Sequence, residues 1–146
     1  MNTGQWRDEL GDWWEGFAWQ WFCTLTFRPG LSESQARWRL RRWTDELREE
    51  LGTSDFQWVG VPELGRTGAD LHFHVLVAGL RDWHADERLD WMRHWNKIAG
   101  DALITVFKPG IGGVRYVLKN VGPDDMDKIE FHLISRTQLQ SRFDLK

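Results

Sequence analysis

The segment Leu71-His72-Phe73-His74-Val75-Leu76-Val77-Ala78-Gly79 is rich in the β-branched and aromatic residues that favour strands. A second run of this kind covers residues 55–63, and the turn-forming segment Gly65-Arg66-Thr67-Gly68-Ala69-Asp70 separates the two. Strands joined by a short turn pair in the antiparallel sense. The sequence therefore predicts an antiparallel hairpin over residues 55–79.

A strand and a helix are predicted on the N-terminal side of this hairpin. Residues 18–28 alternate with a period of two, which predicts a strand with one apolar and one partly polar face. The apolar side chains on one face are Trp19, Trp21, Cys23, Leu25 and Phe27. Ser32 and Gln35 then have the spacing of a capping box, and Gly52 can close the helix that it opens.

The C-terminal side of the hairpin completes a recognisable order of elements. Helical spacing covers residues 82–99, a fourth strand is predicted over 101–108, and a short helix follows the glycine-rich segment 109–113. The resulting order, β-α-β-β-α-β-α, is that of an α+β, ferredoxin-like (split βαβ) fold. We expect an antiparallel sheet with helices on one face and a site on the other.

The two ends of the chain are predicted as extensions of a domain at residues 18–122. In the N-terminal segment 1–17, apolar residues recur at helical spacing: Trp6, Leu10, Trp13, Trp14 and Phe17. This pattern predicts an amphipathic helix over residues 5–16 that packs on the core. An aromatic surface that stacks single-stranded bases is the alternative interpretation. Residues 123–146 form a C-terminal extension in which a short strand and a short helix are equally compatible with Ile129, Phe131, Leu133 and Ile134.

Composition narrows the class of protein. A chain of 146 residues with 41% hydrophobic and 28% charged residues is expected to be one globular domain, too short to include an ATPase domain. The net charge of −3 argues against coating of duplex DNA. Arg37, Arg39, Arg41 and Arg42 are interpreted as a solvated helix face, with phosphate contact as the alternative.

Membrane and secretory signals are not expected. No apolar run approaches the roughly 20 residues that a membrane span needs, and the N-terminus lacks a secretory signal. The single cysteine, Cys23, cannot form an internal disulfide and is expected to be a small buried residue in a strand. These features predict an intracellular protein with no membrane partner.

Three residues of the predicted hairpin have the chemistry of a metal site. His72 and His74 are two apart in a strand and so share one face, and the hairpin folds Glu63 back towards them. Two imidazoles and one carboxylate leave coordination positions for water and phosphate oxygens. Such a site suits Mn²⁺ or Mg²⁺, although zinc and cobalt also accept nitrogen ligands. Two ordinary semi-exposed histidines are the alternative.

The short helix contains Tyr116-Val117-Leu118-Lys119, which includes the only tyrosine of the chain. Tyr116 and Lys119 are three apart and share a helix face. A phenol has a pKa of about 10 and becomes a good nucleophile when a cation or metal stabilises the phenolate. The lysine ammonium can provide that charge, hold a phosphate oxygen or protonate a leaving group. An amphipathic tyrosine at a helix–sheet boundary is the alternative interpretation.

These motifs, in this order, resemble those of the HUH endonucleases. The resemblance rests on four segments: the first strand Phe22-Cys23-Thr24-Leu25-Thr26-Phe27, the acidic Glu63, the triplet His72-Phe73-His74 and the helix segment Tyr116-Val117-Leu118-Lys119. It covers about residues 18–121 and is nearest to the single-tyrosine rolling-circle replication initiators, the Rep proteins. Relaxases usually place the tyrosine early, and transposases of this type generally lack Tyr-x-x-Lys. A C-terminal helicase, common in viral Rep proteins, does not fit in this length.

The resemblance implies a role for each residue. His72, His74 and Glu63 would bind a divalent ion, Tyr116 would be the nucleophile, and Lys119 would assist it. The candidate DNA-binding residues are Thr24, Thr26, Arg28 and Arg115. The implied activity is nicking and joining of single-stranded DNA at a specific origin or hairpin, through a 5′-phosphotyrosine intermediate.

The expected setting is rolling-circle replication of a plasmid, phage or virus. A host helicase is a further expected partner, and the expected location is the cytoplasm of a bacterium or, for a eukaryotic virus, the nucleus. Four alternatives remain: an HUH-type transposase or relaxase-like strand transferase, a metal-dependent hydrolase in which water attacks, a non-catalytic single-stranded nucleic-acid-binding module, and a structural or regulatory protein with no metal site.

Overall fold

The computed structural model of the chain describes residues 2–64 and 71–133. Within these residues there are four α-helices, α1 (Thr3–Glu15), α2 (Glu33–Leu51), α3 (Ala85–Ile98) and α4 (Gly113–Leu118), and a 3₁₀ helix covers Pro123–Lys128. The same part of the chain contains five strands, β1 (Trp19–Thr26), β2 (Gly52–Leu64), β3 (Leu71–Leu80), β4 (Ala102–Val106) and β5 (Glu130–His132). The turn predicted at residues 65–70 and the position of Ile134 lie outside the described residues.

The strands form one sheet in the order β4-β1-β3-β2-β5, and every neighbouring pair is antiparallel. The predicted hairpin is confirmed as the β2–β3 pair, and β3 lies between β1 and β2. The predicted α+β, ferredoxin-like architecture is confirmed. The C-terminal extension contains both structures that the sequence allowed, since the 3₁₀ helix precedes the edge strand β5.

Helices cover both faces of the sheet, which corrects the expectation that they lie on one face. Helices α2 and α3 pack on one face through side chains that include Trp43 and Trp95. Helices α1 and α4 pack on the other through Leu10, Trp14 and Leu118. Most of the predicted apolar positions are buried, but Leu89 of α3 is 46% exposed, and periodicity does not show which face of a sheet a helix covers. The second face is therefore partly covered, and a site on it must lie beside α4.

Strand β1 departs from strict alternation at its start. Trp21, Cys23 and Leu25 face α2 and α3 as predicted, whereas Trp19 packs in the core under α1 and α4. The pairing with β3 shifts between Trp19 and Trp21, as in a β-bulge, and this shift turns Trp19 to the second face. Its indole Nε1 donates to the Trp14 carbonyl at 2.7 Å, which ties β1 to α1.

The N-terminal caps of the first two helices are formed by side chains. The Ser32–Gln35 capping box is confirmed: Ser32 Oγ accepts from the Gln35 amide at 3.2 Å, and Gln35 Oε1 accepts from the Ser32 amide at 2.9 Å. Helix α1 begins earlier than predicted because Asn2 and Gln5 form the same reciprocal pair. Cys23 is fully buried in β1, as predicted. Among the described residues, no helix is long and apolar enough to cross a membrane.

Glu130 of β5 is held by two arginines of α2. Arg37 Nη1 lies 2.8 Å from Glu130 Oε2, and Arg41 Nε lies 2.8 Å from Glu130 Oε1. Burial acts to raise the pKa of Glu130, but the hydrogen bonds from Arg41 and Arg37 outweigh it and the pKa lies below its usual value. Two of the arginines that the sequence assigned to a solvated face therefore anchor the edge strand.

We expect Glu130→Gln to lower the free energy of unfolding at pH 7 by about 1.5–3 kcal/mol, the range for hydrogen bonds to charged groups. Because the folded-state pKa is lowered, this stabilisation is present above the unfolded pKa of about 4.3 and is lost as the pH falls through the folded value. Urea unfolding at pH 7 and in acid measures the difference. Glu33→Gln is the matched control, since the Glu33 side chain is 69% exposed and lies 3.9 Å from Arg37. Equal effects of the two substitutions would contradict the prediction.

Candidate metal and nucleophile site

The hairpin places the three predicted metal ligands on one face. Glu63 of β2 is paired directly with His72 of β3, and His74 is two residues further along the same strand. His74 Nε2 lies 2.7 Å from Glu63 Oε2, and His72 Nε2 lies 3.3 Å from the same oxygen. The His72 and His74 rings are 5.1 Å apart and perpendicular. Strand register alone therefore brings a carboxylate and two imidazoles together.

The environment of these groups suits ligation. Burial lowers the pKa of His74, which favours the neutral imidazole that a metal ion requires. Burial acts to raise the pKa of Glu63, but hydrogen bonds from His74 and Lys119 outweigh it, so the pKa is lowered and the carboxylate stays ionised. Both groups are thus held in the protonation state of a ligand.

The donor set fits a divalent cation. One ligand atom from each of Glu63, His72 and His74 lies within 4.8 Å of the others. Two nitrogens and one carboxylate on a single face could bind an ion and would leave coordination positions for water or phosphate oxygens. The chemistry of the donors does not distinguish Mn²⁺ from Mg²⁺ or zinc.

Of the two threonines predicted to contact DNA, one lies beside Glu63, His72 and His74, which we call the metal-type cluster. Thr24 is paired with His74 across β1 and β3, and its Oγ1 lies 3.5 Å from His74 Nδ1. Thr24 can therefore orient the imidazole ring through the nitrogen that does not face Glu63. Thr26 is paired with His72, but its hydroxyl donates to the Asp101 carbonyl at 3.2 Å and accepts from the Asp101 amide at 3.1 Å.

Helix α4 holds the tyrosine beside the histidines. It starts after Gly112, whose φ of 87° is a left-handed conformation that favours glycine. Val114, Val117 and Leu118 are buried against the sheet, as predicted from their spacing. Tyr116 consequently points outward and is 49% exposed, with its ring 5.3 Å from that of His74.

Lys119 joins the tyrosine to the carboxylate. Its Nζ lies 3.7 Å from the centroid of the Tyr116 ring and 3.3 Å from Glu63 Oε1. Burial acts to lower the pKa of Lys119, but its interactions with Tyr116 and Glu63 outweigh it and the pKa lies above the usual value. The side chain is therefore a cation at neutral pH, placed between the phenol and the predicted metal ligands.

Phe22 is a site residue that the sequence did not single out. Its ring lies 5.7 Å from the His74 ring and 6.3 Å from the Tyr116 ring. The alternation of β1 placed Phe22 on the same face as Thr24, and this is the signal that could have identified it. Phe22 contributes an aromatic wall to the space beside the phenol.

The two arginines predicted to contact DNA are held by other parts of the protein. Arg28 donates to the carbonyls of Asn96 and Lys97 at 2.6 and 3.2 Å, at the end of α3. Cations at this end of a helix satisfy its free carbonyls and its dipole. Arg115, one residue before the tyrosine, instead extends to α1. Its acidic partners there are Asp8, Asp12 and Glu15.

Arg115 fixes α4 to α1 at a point of close approach. Its Nη1 would lie 2.5 Å from a Cβ placed on Gly11, so the glycine is required for the guanidinium to pack on the α1 backbone. The DNA contact predicted for Arg115 is not supported by this arrangement, because its guanidinium faces three carboxylates.

We expect Arg115→Gln to lower the free energy of unfolding by about 1 kcal/mol, since exposed ion pairs are individually weak but three share this guanidinium. The loss should shrink in about 1 M salt, where the Debye length is about 3 Å. Denaturant unfolding at low and high salt measures it. Arg93→Gln is the control, because the Arg93 side chain is 73% exposed and pairs with Asp90 at 3.8 Å. A loss that does not depend on salt would contradict the ion-pair explanation.

Comparison with protein-family models shows a match over most of the chain. The model of the family described as replication-associated protein ORF2 matches residues 20–124, which extend from β1 to the start of the 3₁₀ helix. The match includes all nine predicted site residues and excludes α1. Comparison with curated proteins and with solved structures gave no match.

Proposed function

This chain belongs to the replication-associated protein ORF2 family, and we propose that it acts in replication by nicking and rejoining single-stranded DNA through Tyr116. One observation carries the proposal: an exposed phenol, a lysine cation and a Glu-His-His cluster are in contact with one another on one face of the sheet. Each group has a part in phosphoryl transfer to a tyrosine. The proposed substrate is an origin or hairpin in a plasmid, phage or virus that replicates by a rolling circle.

The proposed step exchanges one phosphodiester for another. Tyr116 Oη attacks the scissile phosphorus in line, the bond from phosphorus to the 3′-oxygen breaks, and a 5′-phosphotyrosine forms. The phenolic proton passes to solvent, and the departing 3′-oxygen takes a proton from solvent. The Lys119 ammonium, 3.7 Å from the ring centroid, stabilises the phenolate as it develops.

The Glu-His-His cluster is proposed to hold the cofactor of this reaction. His72, His74 and Glu63 would bind a divalent ion, Mn²⁺ or Mg²⁺, and the chemistry that such an ion supplies is polarisation of the phosphate. Thr24 orients His74, and Lys119 neutralises the Glu63 oxygen that lies nearest to it.

The same residues can reverse the step. The phosphotyrosine and the DNA phosphodiester are both esters of phosphate, so a 3′-hydroxyl can attack the intermediate and rejoin the strand without ATP. A nuclease that hydrolyses DNA with water would not conserve the bond in this way. Joining, as well as nicking, therefore belongs to the proposed activity, and a transposase or strand transferase with this site would use identical chemistry.

The test is formation of a covalent adduct on a pooled library of single-stranded oligonucleotides with Mn²⁺. Denaturing gel electrophoresis should show a protein–DNA species that resists heat and detergent, and sequencing of the attached DNA should return one short motif. Binding that dissociates in denaturant, with no adduct at any sequence, would contradict the proposal and favour the non-catalytic binding module. Duplex DNA of the same sequence is the control and should give no adduct.

A further inference from the structure

A pocket of about 300 Å³ opens beside the proposed site. Glu63 and Lys119 form part of its wall, and the other lining residues belong to α2, β2, the start of β3, α4 with the chain after it, and the 3₁₀ helix with the residue that follows it. Tyr116 does not line it. The phenol instead lines a separate, more open cleft with Phe22 and Phe107. The pocket is therefore next to the metal-type cluster but distinct from the space in front of the nucleophile.

The chemistry of the pocket favours a neutral, flat ligand with polar edges. Its apolar wall consists of Val61, Pro62, Leu71, Val117, Val121 and Ile129. Its charged groups are three cations and three carboxylates, namely Arg37, Lys119, Lys128, Glu33, Glu63 and Asp125, so their formal charges cancel. A phosphate group gains little from a neutral set, whereas a nucleobase can use the apolar wall for its ring faces and the polar groups for its edge.

Asn120 supplies an amide at the mouth of the pocket. It follows Lys119 directly and is exposed, and no hydrogen bond joins its side chain to another residue within 2–64 or 71–133. An amide offers both a donor and an acceptor, which is the combination that reads the edge of a base. Asn120 is therefore available to a ligand in the pocket.

The polar wall of the pocket is held in place by contacts within the protein. Arg37 donates to the Lys128 carbonyl and to Glu130 Oε2, each at 2.8 Å, and its guanidinium carbon lies 5.3 Å from the centroid of the Phe73 ring. Lys128 Nζ in turn lies 3.2 Å from Asp125 Oδ1. A ligand would thus meet side chains that are already ordered, which reduces the entropy lost on binding.

We propose that this pocket takes the base of one unpaired nucleotide next to the phosphate that Tyr116 attacks, and so determines part of the sequence that is recognised. The inference rests on the proposed function, because it is the scissile phosphate at Glu63 and Lys119 that brings a neighbouring base within reach. A base held there must be unstacked, which a duplex resists. The pocket would therefore select for single-stranded DNA as well as for base identity.

The test measures binding and does not require nicking. The Tyr116→Phe protein in Mn²⁺ is used to enrich fluorescent single-stranded 20-mers from a random pool, and the enriched sequence is then remade with one abasic site at each position in turn. Fluorescence anisotropy gives Kd for each oligonucleotide. The same series is measured with Asn120→Trp, which fills the mouth of the pocket, and with Asn120→Ala, which only removes the amide. Leu89→Trp, on α3 across the sheet, is the control for an added indole on the surface.

We expect one position at which loss of the base weakens binding by about tenfold, as is typical of a single stacked base. In Asn120→Trp that penalty should fall to within about twofold, while Leu89→Trp should retain it. Asn120→Ala should keep the penalty and reduce discrimination between bases at that position. An abasic profile unchanged by Asn120→Trp, or no sensitive position at all, would overturn the inference. Failure of the adduct assay with this binding pattern intact would overturn the nicking step alone.

Discussion

Tyr116→Phe is expected to abolish the covalent protein–DNA adduct, a loss of more than about a thousandfold, because the substitution removes the phenolic oxygen that forms the ester. The chain contains a single tyrosine, so no other phenol can replace it. The ring of Tyr116 is 49% exposed and packs against Lys119 through its face, and phenylalanine retains that contact. Denaturing electrophoresis with labelled single-stranded DNA and Mn²⁺ measures the adduct.

Two further measurements on Tyr116→Phe separate chemistry from folding. The free energy of unfolding, measured by thermal denaturation, should change by no more than about 0.5 kcal/mol, as for most surface substitutions. Single-stranded DNA should still bind, because the proposed metal ligands and the base pocket are untouched. An undiminished adduct would remove Tyr116 from the mechanism, and cleavage without an adduct in the variant would identify water as the attacking group.

His74→Ala is expected to abolish both the adduct and the response of the protein to Mn²⁺. His74 is the most buried of the three proposed ligands, with a side chain 7% exposed, and it contacts Glu63, Thr24 and Tyr116. A ligand that binds only the folded state stabilises it by about 2.7 kcal/mol at a hundred times Kd. The midpoint temperature of thermal unfolding should therefore rise with added Mn²⁺ in the wild type and should not change in His74→Ala.

His94→Ala is the matched control for removal of a histidine. His94 of α3 pairs with Glu46 of α2 on the opposite side of the sheet, with its Nε2 2.5 Å from Glu46 Oε2. This variant should keep the full Mn²⁺ shift and the adduct. A wild type that shows no shift with Mn²⁺, Mg²⁺ or Zn²⁺ would contradict the metal site, and an equal shift in His74→Ala would place the ion elsewhere.

The parts of the fold that depend on local spacing were predictable from the sequence. Three short-range patterns are present in the structure as predicted: the capping box at Ser32 and Gln35, the pairing of the hairpin, and the burial of Val114, Val117 and Leu118 on one side of α4. The convergence of His72, His74 and Glu63 was predictable for the same reason. The two histidines are two residues apart in one strand, and the hairpin turn brings the glutamate of the neighbouring strand beside them.

The features that the sequence did not reveal depend on tertiary contacts. Apolar periodicity shows that α1 and α4 have a buried side but not that this side covers the second face of the sheet. Arg28 and Arg115 have the composition of DNA contacts, yet one satisfies carbonyls at the end of α3 and the other is paired with carboxylates of α1. The displacement of Trp19 follows from a bulge, which alternation alone does not specify.

The elements that carry the two halves of the site are attached to the fold in different ways. His72 and His74 belong to β3, where each has a backbone partner in β1 and another in β2. Tyr116 belongs to a helix of six residues that follows glycines with φ values of 83° and 87°. A DNA end joined to Tyr116 would therefore be carried by a short helix that packs beside the sheet and not by one of its paired strands. Movement of that end away from the metal ligands would not require any strand pair of the sheet to break.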